Sequence, residues 1–299
     1  MVKPFAIATA VDPDKYSRYI LLTILACSSS IARFPSSPFL YPRKIPYGTL
    51  TFPWFGPYDN YTCDNITIKN NRFENGQRGV GTHSSVPNTE HTNINILENV
   101  FLNMNKEAIY GMDWAFTTIN NNVMRNVQKG VYLKAQGRSV FNHFIGNNYI
   151  SGKDDRESRG IHIDGINGGF GVSSGNIINN KIKHLGGHGI GVDYSGQWTI
   201  QGNDVNNVDR TGIYVYRSAQ VIVSNNTSHG NSNNDTSDYD INVTYDSSNV
   251  IVESNFMDNI QITSTEIAIF KNNIVKTNRA NIMSAVNKSG NFINGTLEV

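Results

Sequence analysis

Two repeated strand phrases, a lack of helical periodicity and an abundance of asparagine predict an all-β fold, a right-handed parallel β-helix of roughly eight to nine coils. The first phrase alternates apolar and polar residues and ends in asparagines, as in residues 65–71 (NITIKNN). The second begins with a small residue and continues as an alternating strand, as in residues 160–164 (GIHID). Copies return every 22 to 30 residues or so, roughly the period of solenoid repeats.

The N-terminal segment differs from the rest, so we predict an irregular signal or cap over residues 1–60 and the β-helix domain over residues 61–299. This segment holds most of the prolines. Its apolar run at residues 19–26 (YILLTILA) is followed by Cys27 and resembles a bacterial lipoprotein signal. A signal predicts an extracellular or secreted protein that is lipid-anchored at Cys27. The alternative is a cap that covers the open end of the repeats.

The repeat region reads as short strands that cannot fold alone. When each coil stacks on the next, the strands pair in parallel and the inward aliphatic residues form one continuous core. The asparagine pairs then fall at one corner of every coil, where their amides hydrogen-bond along the stack and tolerate left-handed turns.

The second phrase also predicts which side chains point outward, because alternate residues of a strand face opposite sides. Aligning its copies gives two outward columns. One contains Gly81, Tyr110, Tyr132, His162, Gly191, Tyr214 and Asn242, and the other contains His83, Met112, Lys134, Asp164, Asp193, Tyr216 and Thr244. Neighbouring strands lie about 4.8 Å apart, so we expect Lys134, Asp164 and Asp193 on successive coils with His162 beside them.

Composition argues against several classes of partner. The net charge of +1 gives no electrostatic reason to bind nucleic acid. No stretch reaches the roughly 20 apolar residues that span a bilayer. The chain has only two cysteines, which excludes a disulfide scaffold.

Over about residues 64–290, the two phrases make the chain resemble the pectin-lyase-like superfamily of right-handed parallel β-helices. That group includes pectate lyases, polygalacturonase-type hydrolases and phage tail-spike depolymerases, so the resemblance implies a polysaccharide substrate. Residues 187–189 (GHG) resemble the Gly-His-Gly motif of the polygalacturonase-type hydrolases. The Arg-Ile-Lys motif that follows in those enzymes is missing, so their catalytic roles are not carried over.

The outward columns suit an enzyme that binds and cuts an extended glycan. Glycoside hydrolysis needs two carboxyl groups, for which Asp164 and Asp193 are the candidates, and His162 and Lys134 complete the predicted catalytic cluster. Tyrosines pack well against sugar C–H surfaces. The predicted substrate-binding residues are Tyr110, Tyr132, Tyr214, Tyr216, Arg159, His188, His83 and Asp113.

A polysaccharide lyase is the first alternative. β-Elimination from a uronic acid needs a base at C5 and a cation that neutralises the carboxylate, roles open to Lys134, Arg159, His162 or His83. A lyase would use Ca²⁺ held by Asp164, Asp193 or Asp113, whereas hydrolysis requires no cofactor.

The second alternative is not catalytic. A surface adhesin or a segment of a phage tail spike would bind glycans along the same face without cutting them, and a tail spike would belong to a virion. The sequence is compatible with a monomer or a homotrimer.

Overall fold

The computed structural model describes residues 44–46, 50–52, 64–82, 90–135, 141–165, 172–231, 238–263, 268–277, 280–282 and 287–298. Throughout these ranges the regular elements are strands, β1 to β33, and no helix occurs. No helix that could cross a membrane is therefore found among them.

The strands form three long sheets, here called A, B and C. Sheet A contains β2 (Leu50–Phe52), β5 (Val80–Thr82), β8 (Glu107–Met112), β12 (Lys129–Lys134), β15 (Arg159–Asp164), β18 (His188–Asp193), β21 (Ile213–Tyr216), β24 (Ile241–Thr244), β27 (Ile260–Ile262) and β30 (Ala280–Ile282). Sheet B contains β3 (Asp64–Lys69), β6 (His91–Leu97), β9 (Trp114–Ala115), β10 (Thr117–Asn120), β13 (His143–Gly146), β16 (Val172–Ile178), β19 (Ser195–Gln201), β22 (Ala219–Ser224), β25 (Val250–Glu253), β28 (Ala268–Lys271) and β31 (Asn287–Ser289). Sheet C contains β1 (Lys44–Pro46), β4 (Arg72–Glu74), β7 (Val100–Leu102), β11 (Val123–Val127), β14 (Tyr149–Gly152), β17 (Lys181–Leu185), β20 (Asp204–Val208), β23 (Thr227–His229), β26 (Phe256–Met257), β29 (Ile274–Val275), β32 (Asn291–Ile293) and β33 (Thr296–Glu298).

The chain visits the sheets in the order C, A, B and then begins the next coil. Each strand pairs in parallel with its counterpart one coil later, as β12 does with β15 and β15 with β18. The pairing of β32 with β33, near the end of the described chain, is antiparallel. This topology confirms the predicted parallel β-helix.

The inward residues fill the helix with aliphatic side chains, as the alternation predicts. On sheet A, the buried column is Val80, Ile109, Val131, Ile161, Ile190, Ile213, Ile241 and Ile260. A neighbouring inward position is Gly111, where a Cβ would lie 2.6 Å from the ring of Trp114. The buried Trp114 indole occupies that space and donates a 2.7 Å hydrogen bond to Thr82.

The asparagine corner is a continuous ladder between sheets B and C. It comprises Asn71, Asn99, Asn122, Asn148, Asn180, Asn203, Asn226, Asn255, Asn273 and Asn291. In Asn122, for example, Nδ2 donates to Oδ1 of Asn148 at 3.0 Å and to the carbonyl of Ile96 at 2.9 Å. Each amide therefore joins neighbouring coils, as predicted from the asparagine pairs.

Two short strands lie upstream of the predicted start of the β-helix at residue 61. Strand β1 pairs in parallel with β4, and β2 pairs in parallel with β5. These pairings satisfy backbone groups that would otherwise be exposed at the edges of β4 and β5. Cys27 lies outside the described residues.

Candidate active site

Two columns of outward side chains run along sheet A in the predicted register. The first outward column is Tyr110, Tyr132, His162, Gly191, Tyr214, Asn242 and Gln261. The second outward column is Met112, Lys134, Asp164, Asp193, Tyr216 and Thr244. Strands β12, β15 and β18 thus bring the four residues of the predicted catalytic cluster onto one ridge.

The centre of this ridge is an imidazole–carboxylate pair. Nε2 of His162 lies 2.9 Å from Oδ2 of Asp193 on the next coil. The His162 ring stacks on Tyr132 at a centroid distance of 4.9 Å and an interplanar angle of 7°. This packing leaves His162 only 7% exposed, so the ring is buried within the ridge rather than projecting from it.

Asp164 has its own partners, one coil before Asp193. Its Oδ2 accepts a 2.6 Å hydrogen bond from the Tyr132 hydroxyl and lies 3.6 Å from Nζ of Lys134. Burial, followed by this hydrogen bond and the Asp164 charge, raises the pKa of Tyr132, which therefore remains protonated. The two carboxylates of the predicted acid–base pair thus lie in register but interact with different groups.

The open space on this face lies toward the later coils. A cleft of about 820 Å³ is lined by Arg159, His188, Asp193, Arg210, Thr211, Tyr214, Tyr216, Asp238, Asn242, Thr244, Tyr245, Asp246, Gln261 and Thr263. Of the predicted catalytic cluster, only Asp193 lines this cleft. The stacked rings of Tyr132 and His162 fill the corresponding part of the earlier coils, whereas Gly191 leaves space beside the cleft.

Arg159 brings a positive charge to the cleft. It starts β15 and pairs in register with His188. Across the described ranges no carboxylate forms an ion pair with Arg159, whereas the neighbouring Arg210 lies 3.3 Å from Asp238. The Arg159 guanidinium is thus available to an anion that enters the cleft.

His188 is a neutral imidazole in the wall of the cleft. Its ring stacks on Tyr214 at 5.6 Å and is hydrogen-bonded to the backbone of Thr211. Burial, followed by the charges of Arg159 and Arg210, lowers the pKa of His188 to about 3. The buried Nδ1 of His188 has no hydrogen-bond partner within the described chain, so its ring presents an unused polar atom.

Tyrosines form the far wall of the cleft. Tyr216 stacks on Tyr214 at 5.6 Å and meets Tyr245 at 5.0 Å in an edge-on contact. Tyr194 also packs edge-on against Tyr216, and Arg217 lies 5.3 Å above the Tyr216 ring. Burial, followed by the Asp193 charge, raises the pKa of Tyr214, so its hydroxyl stays protonated.

Sequence reasoning missed part of this wall. Tyr194 and Tyr245 each follow the last outward residue of a sheet A strand, and both adopt positive φ angles of 49° and 48°. An aromatic residue directly after two copies of the second phrase was the available signal. Arg210 carried no such signal, because it precedes its strand and belongs to neither outward column.

Within the described chain, three predicted substrate-binding residues, Tyr110, Tyr132 and Asp113, are not part of the cleft lining. Tyr110 is buried beneath the Arg78 guanidinium, which lies 4.5 Å from its ring centroid. Asp113 is buried in the turn after β8 and has a positive φ of 53°. His83 lies outside the described residues.

Within the described chain, the predicted Ca²⁺ ligands Asp113, Asp164 and Asp193 do not form a shared site. In the part of the chain that the structure covers, no group of three or more His, Cys, Asp or Glu side chains is arranged to hold a metal ion. Asp164 and Asp193 are engaged as described above, and Asp113 lies in a turn after an earlier strand.

The comparisons with known proteins concern the fold. The family profile of the right-handed β-helix region matches residues 159–297, which agrees with the observed parallel coils and with the predicted hand. Among solved structures, the chain is similar to the mannuronan C-5 epimerase AlgE6 A-module of Azotobacter vinelandii, with 14% identity and a TM-score of 0.36 over 83% of this chain and 81% of that one. No curated protein matches the sequence.

Proposed function

We propose that the protein is a polysaccharide lyase that binds an acidic glycan along sheet A and cleaves it next to a uronic acid residue. The observation that carries this proposal is the Arg159 guanidinium, which lacks an acidic partner within the described chain and lies beside the neutral His188. A charged group in a partly buried wall is costly unless it is paired, so it favours an anionic ligand.

The chemistry of elimination fits the groups around Arg159. A guanidinium binds a carboxylate through two parallel hydrogen bonds and stabilises the charge that develops when the adjacent C5 proton is removed. His188 is unprotonated and can accept that proton. The substrate carboxylate would offset the Arg159 charge, one of the causes that lower the pKa of His188, and so strengthen the base.

The protonated Tyr214 hydroxyl supplies the second half of the reaction. As His188 takes the C5 proton, the electron pair of the C5–H bond forms a C4–C5 double bond and the C4–O bond breaks. The leaving oxygen takes the proton of Tyr214, and solvent exchange then restores both side chains. The His162–Asp193 pair orients the Asp193 carboxylate at the edge of the cleft.

The tyrosine wall suits the neighbouring sugars of the chain. Tyr214, Tyr216 and Tyr245 line the cleft and present rings against which sugar C–H faces can pack. Stacking of this kind tolerates variation in the sugar, so specificity would come from the polar groups between the rings. A polymeric substrate of this kind also supports the prediction of an extracellular or secreted protein.

The test is to incubate the protein with matched uronic-acid and neutral polysaccharides and to analyse the products. We expect shortened uronic-acid chains whose new ends absorb ultraviolet light through a conjugated double bond. Replacing Arg159→Gln should lower kcat/KM by about 10²-fold, because a charge that stabilises the transition state is lost. Arg125→Gln, on the exposed outer face of β11, is the matched control and should leave kcat/KM unchanged.

Glycoside hydrolysis by Asp164 and Asp193 is the second candidate, favoured by their position in register on β15 and β18. Strands in register are about 4.8 Å apart, whereas an inverting glycosidase needs carboxyl groups roughly 6.5–9.5 Å apart, so the side chains would have to diverge. Hydrolysis products carry one more water than elimination products and no double bond. Detection of these products by mass spectrometry would support the hydrolase and contradict the lyase.

The third outcome of the same test is binding without shortening of the chain. It would support a glycan-binding adhesin or a tail-spike segment, and it would contradict both enzymatic candidates.

A further inference from the structure

Gly191 opens a notch in the first outward column, between His162 on one coil and Tyr214 on the next. A Cβ built on Gly191 would have only His162 Cδ2, at 3.4 Å, and Asp193 Oδ1, at 4.0 Å, within 4 Å. The Tyr214 side chain lies outside that range and instead stacks on His188. The notch therefore has room for a methyl group and lies next to Asp193 and Tyr214, which line the cleft.

Oδ1 of Asp193, the polar atom nearest the notch, lacks a partner among the described residues, and so do two polar atoms elsewhere in the cleft lining. Within the described chain, Oδ1 of Asp193, Nδ1 of His188 and Oδ1 of Asn242 are buried and make no hydrogen bond. His188 and Asn242 are each only 7% exposed, and all three residues line the cleft. A buried polar group without a partner costs about 1–3 kcal/mol, so the arrangement favours a ligand that supplies the missing bonds.

These atoms share one chemical character. The carboxylate oxygen of Asp193 and the amide oxygen of Asn242 are acceptors, and the Nδ1 lone pair of His188 is the one that takes the C5 proton in the proposed reaction, because its other ring nitrogen donates to the backbone of Thr211. These unpaired acceptors require hydrogen-bond donors from the ligand. On a sugar, the donors are free hydroxyl groups.

We infer that the Gly191 notch receives a sugar with free hydroxyl groups and excludes sugars that are O-acetylated at that position. Acetylation replaces the hydroxyl donor with an ester, which cannot donate, and adds an acetyl group that needs more space than the hydroxyl. A site that is built to hydrogen-bond a hydroxyl discriminates strongly against a ligand lacking it, because its buried acceptors stay unpaired. This inference rests on the proposed glycan substrate and adds a specificity determinant to it.

The experiment measures binding by calorimetry, with a uronic-acid oligosaccharide in its O-acetylated and de-O-acetylated forms as probes. We expect the de-O-acetylated probe to bind at least about tenfold more tightly. Gly191→Ala should weaken binding of that probe by about tenfold or more, because its methyl group occupies the notch. The fold should tolerate this change, since the new contacts are of ordinary van der Waals length, and an unchanged melting temperature would verify it.

The matched control is Thr199→Ile, which adds bulk to the outer face of β19 in sheet B and should leave affinity unchanged. Equal affinities for the two probes, or a Gly191→Ala variant that binds as well as the unmodified protein, would overturn the inference. Selective binding without an unsaturated product would leave the notch in place and overturn only the proposed reaction. If neither probe binds, both proposals fail.

Discussion

At the scale of single residues, His188 links the cleft to the stability of the protein. Its ring is held between Tyr214 and the backbone of Thr211, where burial and nearby guanidinium groups oppose protonation. A neutral imidazole at this position keeps its lone pair for a ligand. The same burial means that the folded protein resists taking up a proton that the unfolded chain accepts readily.

This difference predicts an acid-dependent loss of stability. The pKa of His188 is about 3 in the folded protein and about 6.5 in an unfolded chain. Below pH 6.5 the unfolded state binds a proton that the folded state does not, so the free energy of unfolding falls until pH 3 is reached, by something on the order of 4 kcal/mol. Urea unfolding at successive pH values measures this fall in the free energy of unfolding. His188→Gln should make the free energy of unfolding depend less steeply on pH.

His91 provides the comparison for that measurement. Burial lowers the pKa of His91 to about 4, so its effect has the same sign but ends at a higher pH. His91→Gln should therefore make the free energy of unfolding less dependent on pH only above about pH 4. His188→Gln should also reduce this dependence between about pH 4 and about pH 3. An unchanged slope in the His188→Gln variant would contradict the neutral, buried state assigned to this side chain.

At the scale of the structural element, the turn between sheets B and C has a fixed backbone requirement. The residue before each ladder asparagine adopts a left-handed conformation. These residues are Asn70, Glu98, Asn121, Asn147, Asn179, Gly202, Asn225, Ser254, Asn272 and Gly290. Asparagine and glycine dominate this column because they enter the left-handed region at the lowest cost, which explains why the asparagines of the sequence come in pairs.

Ser254 is an exception that predicts a stabilising substitution. Its φ of 56° is equivalent to that of the asparagines in the column, but serine adopts this conformation less readily. Ser254→Asn should raise the free energy of unfolding by about 0.5–1 kcal/mol, since it lowers the backbone cost of the turn. Thermal and urea unfolding measure the change.

The control for this substitution is Ser151→Asn in strand β14, where the backbone is extended. Asparagine is poorly suited to strands, so this change should bring no gain. If both variants were stabilised equally, the effect would not arise from the left-handed turn.

The same elements show what the sequence could predict. The inward columns, the register of sheet A and the asparagine corner all follow from local alternation and from residue types that suit one backbone conformation. For that reason Lys134, Asp164 and Asp193 occupy successive coils as expected. The position of the cleft does not follow from alternation, since it depends on how aromatic side chains stack on the side chains of neighbouring coils.

Two residues illustrate this limit. His162 is outward by alternation, yet stacking on Tyr132 buries it. His188 lies at the start of β18, where alternation no longer fixes the side-chain direction, and its place in the cleft comes from contact with Tyr214. Both outcomes arise from packing between coils, which is non-local in the sequence.

At the scale of the whole molecule, the protein behaves as a one-dimensional stack. Each coil contacts mainly the coil before and the coil after, so stability is approximately a sum of coil and interface terms. The asparagine ladder crosses every one of these interfaces from Asn71 to Asn291 and is buried from Asn99 onward. A defect in the ladder should therefore act differently at the middle of the stack than at an end.

Asn180 and Asn291 allow this to be tested with one substitution. Asn180 accepts two hydrogen bonds from Asn148 and donates to Asn203 and to the carbonyl of Ile145, so Asn180→Ala leaves buried groups unpaired on both neighbouring coils. Asn291 lies on the last ladder coil of the described chain, where Asn291→Ala removes bonds to Asn273 and the carbonyl of Phe270. The central variant should lose several kcal/mol of stability, about 1–3 for each unpaired group, and the terminal variant less.

Hydrogen exchange should locate the consequences of the two changes. With Asn180→Ala, we expect faster amide exchange to spread from β17 into the coils on both sides, because the interfaces before and after it are weakened together. With Asn291→Ala, faster exchange should stay within the final coils around β29 and β32. A uniform increase along the whole chain in both variants would mean that the coils unfold as a single cooperative unit, and the description of the protein as a stack of nearest-neighbour interfaces would then be wrong.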